Sequence, residues 1–316
     1  MEYLKAVSNE TALGYYCLGV NNMCDNRYYD EIMRLEESED IKRILKRWSN
    51  FSKNKPKFPQ GTPVVLPDML WVAKSGYGKT NLLRLLSEYL YEEKLMEFYG
   101  DVKFFEFDLE YCKKDNNFRE FDRFNDVLLD AAGFRSEFKG VVCVDINEWI
   151  DHLEEKHFVN FMEYLSENSD AWHIIFVVDC HNEVKLKQLE AVLTIYFRIE
   201  KVIFNLPDSK QLGIYMEQYL KQHGFELEEE AKVILFETIE ELRKGKYFDG
   251  YKTLNMICAD LIYREFSSDN FEGYVITAET VKYYSKDSEF VERTKTNIEK
   301  RNKIGYLSRG EDNEKL

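Results

Sequence analysis

Trp71-Val72-Ala73-Lys74-Ser75-Gly76-Tyr77-Gly78-Lys79-Thr80 is the stretch on which the reading of this chain turns. The apolar run from Met69 to Ala73 predicts a short buried strand. Gly76 and Gly78 predict a tight turn with backbone N–H groups facing inward. Asn81 to Tyr91 predicts an amphipathic helix with Leu82, Leu83, Leu85, Leu86 and Leu90 as its apolar set. A strand, a glycine loop and a helix N-terminus together form an anion cradle. In the pattern G-x-x-x-x-G-K-[ST], the Lys reaches the β- and γ-phosphates and the hydroxyl residue ligates Mg²⁺. Those positions fall on Lys79 and Thr80. The first glycine of the pattern is Ala73 here, a mild departure at a position on the strand end. The expected phosphate site is therefore Ala73, Lys74, Ser75, Gly76, Tyr77, Gly78, Lys79, Thr80 and Asn81, with Thr80 as a metal ligand. A Gly-rich turn holding Gly-Lys-Thr by chance would not need the flanking strand and helix.

Around this loop, apolar runs alternate with helical patterns. Val102 to Phe107, Val141 to Asp145, His173 to Val178 and Val202 to Phe204 predict four further strands. Phe118 to Ala132, with Gly133 as its stop, Trp149 to Leu165 and Lys185 to Leu193 predict the helices between them. Alternation of this kind predicts a parallel five-stranded sheet with helices on both faces. Beyond Pro207 the strand signals stop. Ser209 to His223, Glu228 to Arg243 and Tyr251 to Phe266 predict a small all-α unit, with Asp208 and Ser209 as caps of its first helix. Upstream, Tyr28 to Trp48 is helical by period, and residues 49 to 68 hold four of the five prolines, which marks a linker. The expected division is an N-terminal helical segment and linker over 1–66, the α/β domain over 67–207, a helical lid over 208–288 and a charged flexible tail over 289–316.

Composition narrows the function classes. Apolar residues make up 44% of 316 residues, enough for a large core. The formal net charge of -15 disfavours general nucleic-acid binding, which needs a basic stripe. The six cysteines are scattered with no C-x-x-C pair, which points to reduced core thiols. No signal peptide is legible and no apolar run approaches the roughly 18 residues of a membrane span. The expectation is a cytoplasmic protein with no membrane attachment. His152 and His157 are five apart, off a common helical face, and do not form a metal pair.

Asp145 closes a buried apolar run about sixty-five residues after Lys79. A phosphate-loop enzyme places there the carboxylate that orients Mg²⁺, so Asp145 joins Thr80 as the expected metal site.

With these pieces the chain resembles the AAA+ ATPases over about residues 28 to 285, in particular the branch typified by CbxX and the sporulation protein of stage V. Tyr29-Asp30-Glu31-Ile32-Met33-Arg34-Leu35-Glu36-Glu37, followed by the amphipathic helix, resembles the family's entry segment, which packs near the adenine. Phe197 to Asp208 resembles the junction into the lid. Phe248-Asp249-Gly250-Tyr251-Lys252-Thr253-Leu254 resembles the second sensor motif, with Lys252 where the family has Arg. The resemblance implies ATP/ADP and Mg²⁺ as ligands and protein partners, with a hetero-oligomeric ring as one arrangement. Three departures bear on chemistry. The family's acidic strand ends Asp-Glu, but Ile146 follows Asp145, and Glu148 comes two positions later. The first sensor has three candidates, Asp179, His181 and Asn182. The arginine-finger position falls on Thr194 to Tyr196, with Arg198 two residues on. A finger alone is worth about 10³–10⁵ in rate. The expectation is therefore ATP binding that controls partner or ring assembly, with weak or absent hydrolysis. The alternative is an active remodelling ATPase using Glu148 as base and Arg198 as finger. A small-molecule phosphotransferase and a DNA-acting ATPase fit less well: the C-terminal helices read as packing helices, and the charge is acidic.

Overall fold

The computed structural model describes residues 26–35, 38–59, 65–111, 119–133, 137–245, 248–267 and 273–282. The expected tail over 289–316, the segment before Asn26 and part of the proline-rich stretch lie outside the described residues.

Five parallel strands form one sheet: β1 (Asp68–Val72), β2 (Phe104–Asp108), β3 (Gly140–Asp145), β4 (Trp172–Val178) and β5 (Ile199–Ile203). Their order is β2-β3-β4-β1-β5, so the strand that feeds the glycine loop lies inside the sheet. β1, β3 and β4 are covered on both faces, which is why they read as continuous apolar runs.

Helices pack on both faces. α1 (Arg27–Arg34), α2 (Glu39–Asn54) and α3 (Lys79–Glu92) cover the face that carries Met69, Trp71, Val141, Cys143, Ile175 and Val177. α4 (Glu120–Ala132), α5 (Lys156–Glu167) and α6 (Glu183–Tyr196) cover the face that carries Leu70, Val142, Val144, Ile174 and Phe176. The helix ends follow local chemistry. The Asn26 side chain accepts from the N–H groups of Tyr28 and Tyr29, and Ser38 caps α2. Gly133 ends α4 at φ 63°.

One expected helix begins later than its pattern. Trp149 to Leu165 is not continuous: residues Asn147–Trp149 form a 3-10 turn, further turns follow, and α5 starts at Lys156. The apolar side chains before Lys156 are used in packing instead. The Trp149 ring stacks on Phe158 at 5.6 Å and meets Tyr111 edge-on at 5.1 Å.

After Pro207, α7 (Ser209–Gln222), α8 (Glu229–Arg243), α9 (Gly250–Phe266) and α10 (Ala278–Lys282) enclose a separate hydrophobic cluster around Leu212, Met216, Leu235, Ile239, Leu254 and Ile257. Asp208 begins α7 with a full capping box: its carboxylate accepts the Gln211 N–H, and its own N–H donates to the Gln211 side chain. This part is not purely helical. A two-residue parallel ladder pairs β6 (Glu226–Leu227) with β7 (Val275–Ile276). Among the described residues no helix is long and apolar enough to cross a membrane.

Beneath the sheet's N-terminal edge lies a buried polar pair. Asp68 Oδ1 accepts the Ile174 N–H at 2.8 Å and lies 4.0 Å from His173 Nδ1. Burial pushes Asp68 up to about 7 and His173 down to about 4. The native state therefore holds the Asp68 proton in a window where the unfolded chain has released it, and this contribution to stability falls as pH rises from about 4 to about 7. His173 acts in the opposite sense between about 6.5 and 4. Asp68→Asn keeps the acceptor for Ile174 and removes the ionisation. Denaturant melts should show it gaining roughly 2 kcal/mol more over wild type at pH 8 than at pH 5.

Candidate functional site

The loop from Ala73 to Gly78 leaves β1 at the sheet's C-terminal edge, where open α/β sheets bind ligands. Ala73 is still part of the ladder: its N–H bonds Val178 O at 2.9 Å and it is buried. This is why an alanine serves where the pattern has glycine. Gly76 and Gly78 take φ of 75° and 80°, which a residue with Cβ rarely adopts. α3 begins at Lys79, directly after Gly78, so its unpaired N–H groups face the loop. The Lys79 ammonium folds back toward Ala73 O at 3.5 Å.

Three carboxylates share a cavity with Lys79, and one of them meets Thr80. Asp145 ends β3 and accepts the Asn147 N–H at 3.0 Å. Burial raises its pKa, opposed by that N–H and by Lys79, while Asp108 adds to the rise. Thr80 Oγ1 donates to Glu106 Oε2 at 3.4 Å. Glu106 opens onto the cleft, yet its carboxyl is raised by desolvation first, then by Asp108 and Asp145; Thr80 and Lys79 oppose. Lys79, Glu106, Asp108 and Asp145 line one small cavity of about 90 Å³.

This donor set fits Mg²⁺. A magnesium ion uses one or two carboxylates together with substrate phosphates rather than an all-protein cage. Among the described residues no group of three His, Cys, Asp or Glu is arranged to hold a metal unaided. Thr80 and Asp145, the expected metal residues, are both at this edge.

The C-terminal helices close directly on the loop. Tyr251 N–H donates to Gly76 O at 2.9 Å, and Ser75 Oγ donates to Asp249 Oδ2 at 3.2 Å. The approach is glycine against glycine. A Cβ on Gly76 would lie 1.9 Å from Asp249 O, and one on Gly250, at φ 50°, would lie 2.3 Å from Gly76 O. Lys252 sits 3.6 Å from Asp249 and lines a cavity of about 540 Å³ together with Gly76, Lys79 and Thr80. A second cavity of about 420 Å³ lies between α1, α3 and α7, bordered by Leu35, Leu85, Ile214 and Tyr215. Asn81 and Tyr251 border both spaces. Tyr77 is half-buried; burial raises its hydroxyl, Asp179 and Asp249 add to this, and Arg243 opposes.

Ile146 is buried in the core on the α4–α6 face, and its N–H bonds Val177 O at 3.0 Å. Glu148 is exposed, and its carboxylate receives the Tyr111 N–H at 2.7 Å. Arg198 is exposed on the short turn between α6 and β5. Of the first-sensor candidates, Asn182 caps α6 by accepting from Val184 and Lys185, and His181 lies 3.6 Å from Asp179. Lys74 is exposed, and Asn81 accepts from Arg84 at 3.1 Å. Glu106 and Asp108 are site residues that the loop pattern does not single out. Acids at alternate positions of the otherwise apolar run Phe104-Phe105-Glu106-Phe107-Asp108 are the available signal.

A parallel sheet of this strand order, an inner strand feeding a Gly-x-Gly-Lys-Thr loop, and an acid on a nearby strand end define the P-loop NTPase class of fold. No protein-family profile matches the chain, and no curated protein matches it. Among solved structures it is similar to Hsp104 in its closed state with ATPγS and FITC casein, at 15% identity and a TM-score of 0.45. That likeness covers 75% of this chain and 42% of the Hsp104 chain. It is also similar to two point mutants of RuvB from Thermotoga maritima, each at 14% identity, with TM-scores of 0.47 and 0.46. Each of those covers 77% of this chain and 68% of RuvB. The fold assignment rests on the strand order and the loop themselves.

Gly250→Ala should test the closure. The added methyl meets backbone, not a flexible side chain, and the backbone is in the left-handed region, at a cost of about 1–3 kcal/mol for the conformation alone. Thermal melting should fall, and proteolysis between β5 and α7 should quicken, while Gly224→Ala, which carries the same left-handed penalty at φ 84° but whose Cβ would meet nothing within 4 Å, should leave that cleavage unchanged.

Proposed function

We propose that this protein is an AAA+-type nucleotide-binding module in which ATP with Mg²⁺ bridges the P-loop domain and a helical lid. The observation that carries this is the Gly76–Gly250 contact, which sets the lid's Lys252 over the same cavity as Lys79 and Thr80. Loop N–H groups, Lys79 and Lys252 supply positive potential for the phosphates, and Thr80 and Asp145 would hold Mg²⁺. That ion supplies charge neutralisation at the phosphates when bound. Leu35, Leu85, Ile214 and Tyr215 border a cavity, edged also by the polar Glu31, Arg34, Gln211 and Gln218, of a size and place suited to a base.

Turnover is slow on this reading. Ile146 accepts no proton, Glu148 is engaged elsewhere, and Arg198 is exposed away from the chain's own loop. ATP therefore acts chiefly by selecting a lid position, and a protein partner reads that position. Assembly into a ring with other AAA+ subunits is the arrangement in which Arg198 would meet a neighbour's nucleotide. The active remodelling ATPase, with Arg198 as finger, is the alternative; its proposed base, Glu148, has its carboxylate on the Tyr111 N–H.

Titration of the purified chain with a fluorescent ATP analogue, with phosphate release read in parallel, tests the reading. Mg²⁺-dependent binding with release far below one turnover per second is expected, and Lys79→Ala should abolish binding. Rapid turnover by the isolated chain, lost in Glu148→Gln, would establish the alternative.

A further inference from the structure

Glu106 is a carboxylate in this site that the loop pattern does not explain. β2 alternates: Phe105 and Phe107 enter one core, while Glu106 and Asp108 open onto the side of α3. Parallel pairing sets Glu106 beside Cys143 and Asp108 beside Asp145, so all four side chains share a face. On that face Glu106 reaches the loop itself through Thr80 Oγ1 and shares the small cavity with Lys79. Asp108 lines the same cavity beside Asp145, but it is Glu106 whose carboxylate accepts the Thr80 hydroxyl.

We infer that Glu106 is the general base of nucleotide hydrolysis at this loop, supplied from the strand beside the one that ends in Asp145. The inference rests on the reading that the site holds ATP. A base is absent from the usual position because Ile146 is packed into the opposite core. Glu106 offers a carboxylate on the correct face, next to the hydroxyl that marks the magnesium end of the loop. In the step, the oxygen of a water molecule forms a bond to the γ-phosphorus while its proton passes to Glu106. The bond from the γ-phosphorus to the β–γ bridging oxygen breaks, and ADP leaves with that electron pair. Glu106 then returns the proton to the phosphate product or to solvent. No further reactant is required. Turnover stays slow because the step lacks an arginine at the γ-phosphate.

The test compares wild type, Glu106→Gln, Glu148→Gln and Thr80→Ala for Mg²⁺–ATP affinity and, separately, for single-turnover phosphate release over hours. General bases contribute about 10²–10⁴-fold, so Glu106→Gln should slow release by about 10²-fold or more while its Mg²⁺–ATP affinity stays within about twofold of wild type. Loss of release in Glu148→Gln with release retained in Glu106→Gln would overturn the inference in favour of Glu148. Glu106→Gln is close in size, and its retained affinity reports that the site is folded. Release at the wild-type rate in Glu106→Gln would overturn the inference. So would a loss of affinity equal to that of Thr80→Ala, because Glu106 would then act only by holding Thr80. ATP binding by wild type with no release at all would overturn the base while leaving nucleotide binding intact. Absence of binding by wild type would remove both.

Discussion

The contact of Gly76 with Gly250 is the constraint on which the rest of the site depends. Two backbones meet where neither can carry a Cβ, and both residues sit at positive φ. The meeting fixes the start of α9 against the phosphate loop, with Tyr251 N–H on Gly76 O. Lys252 is brought in as a consequence, since it lies two residues into a helix whose first turn is already pinned. Asp249 takes the Ser75 hydroxyl and adds a negative charge to the same edge. On the proposed reading, a phosphate arriving at the loop would change the balance between Asp249, Ser75 and Lys252 and so couple the occupant of the loop to the position of the C-terminal helices.

The sheet supplies the opposite charge. Glu106, Asp108 and Asp145 share one sheet face with Cys143 and one cavity with Lys79, and burial raises Glu106 and Asp145. An edge so rich in carboxylates repels a bare triphosphate and favours one that arrives with a divalent cation. The separation of roles follows from position. On the proposed reading, loop amides and Lys79 would address the phosphates and Thr80 and Asp145 the cation, while β2 extends the acids beyond the pattern of the loop.

Much of this is legible in the sequence because buried parallel strands are written as continuous apolar runs. The phosphate loop, the five strands and the helices after Pro207 all carry such local signals. Trp149 to Leu165 misleads because Trp149, Ile150 and Leu153 repeat at helical spacing while serving as packing side chains of a turn. Glu106 is hidden for a different reason. The run around it announces a strand, but which face it presents depends on register with β3, and register is a tertiary fact. The Gly76–Gly250 contact joins residues far apart in the chain, which no local window contains. The β6–β7 ladder is two residues long, too short to show a period.

Loop and lid, on this view, respond to nucleotide as one unit. Hydrogen exchange of the intact chain with and without ATP and Mg²⁺ tests this most directly, read at peptides covering 73–80 and 249–256. Protection should change in both peptides together, and in neither when Lys79→Ala is mixed with ATP. Protection of the loop peptide with no change at 249–256 would contradict the coupling, because the nucleotide would then be held without reaching the lid.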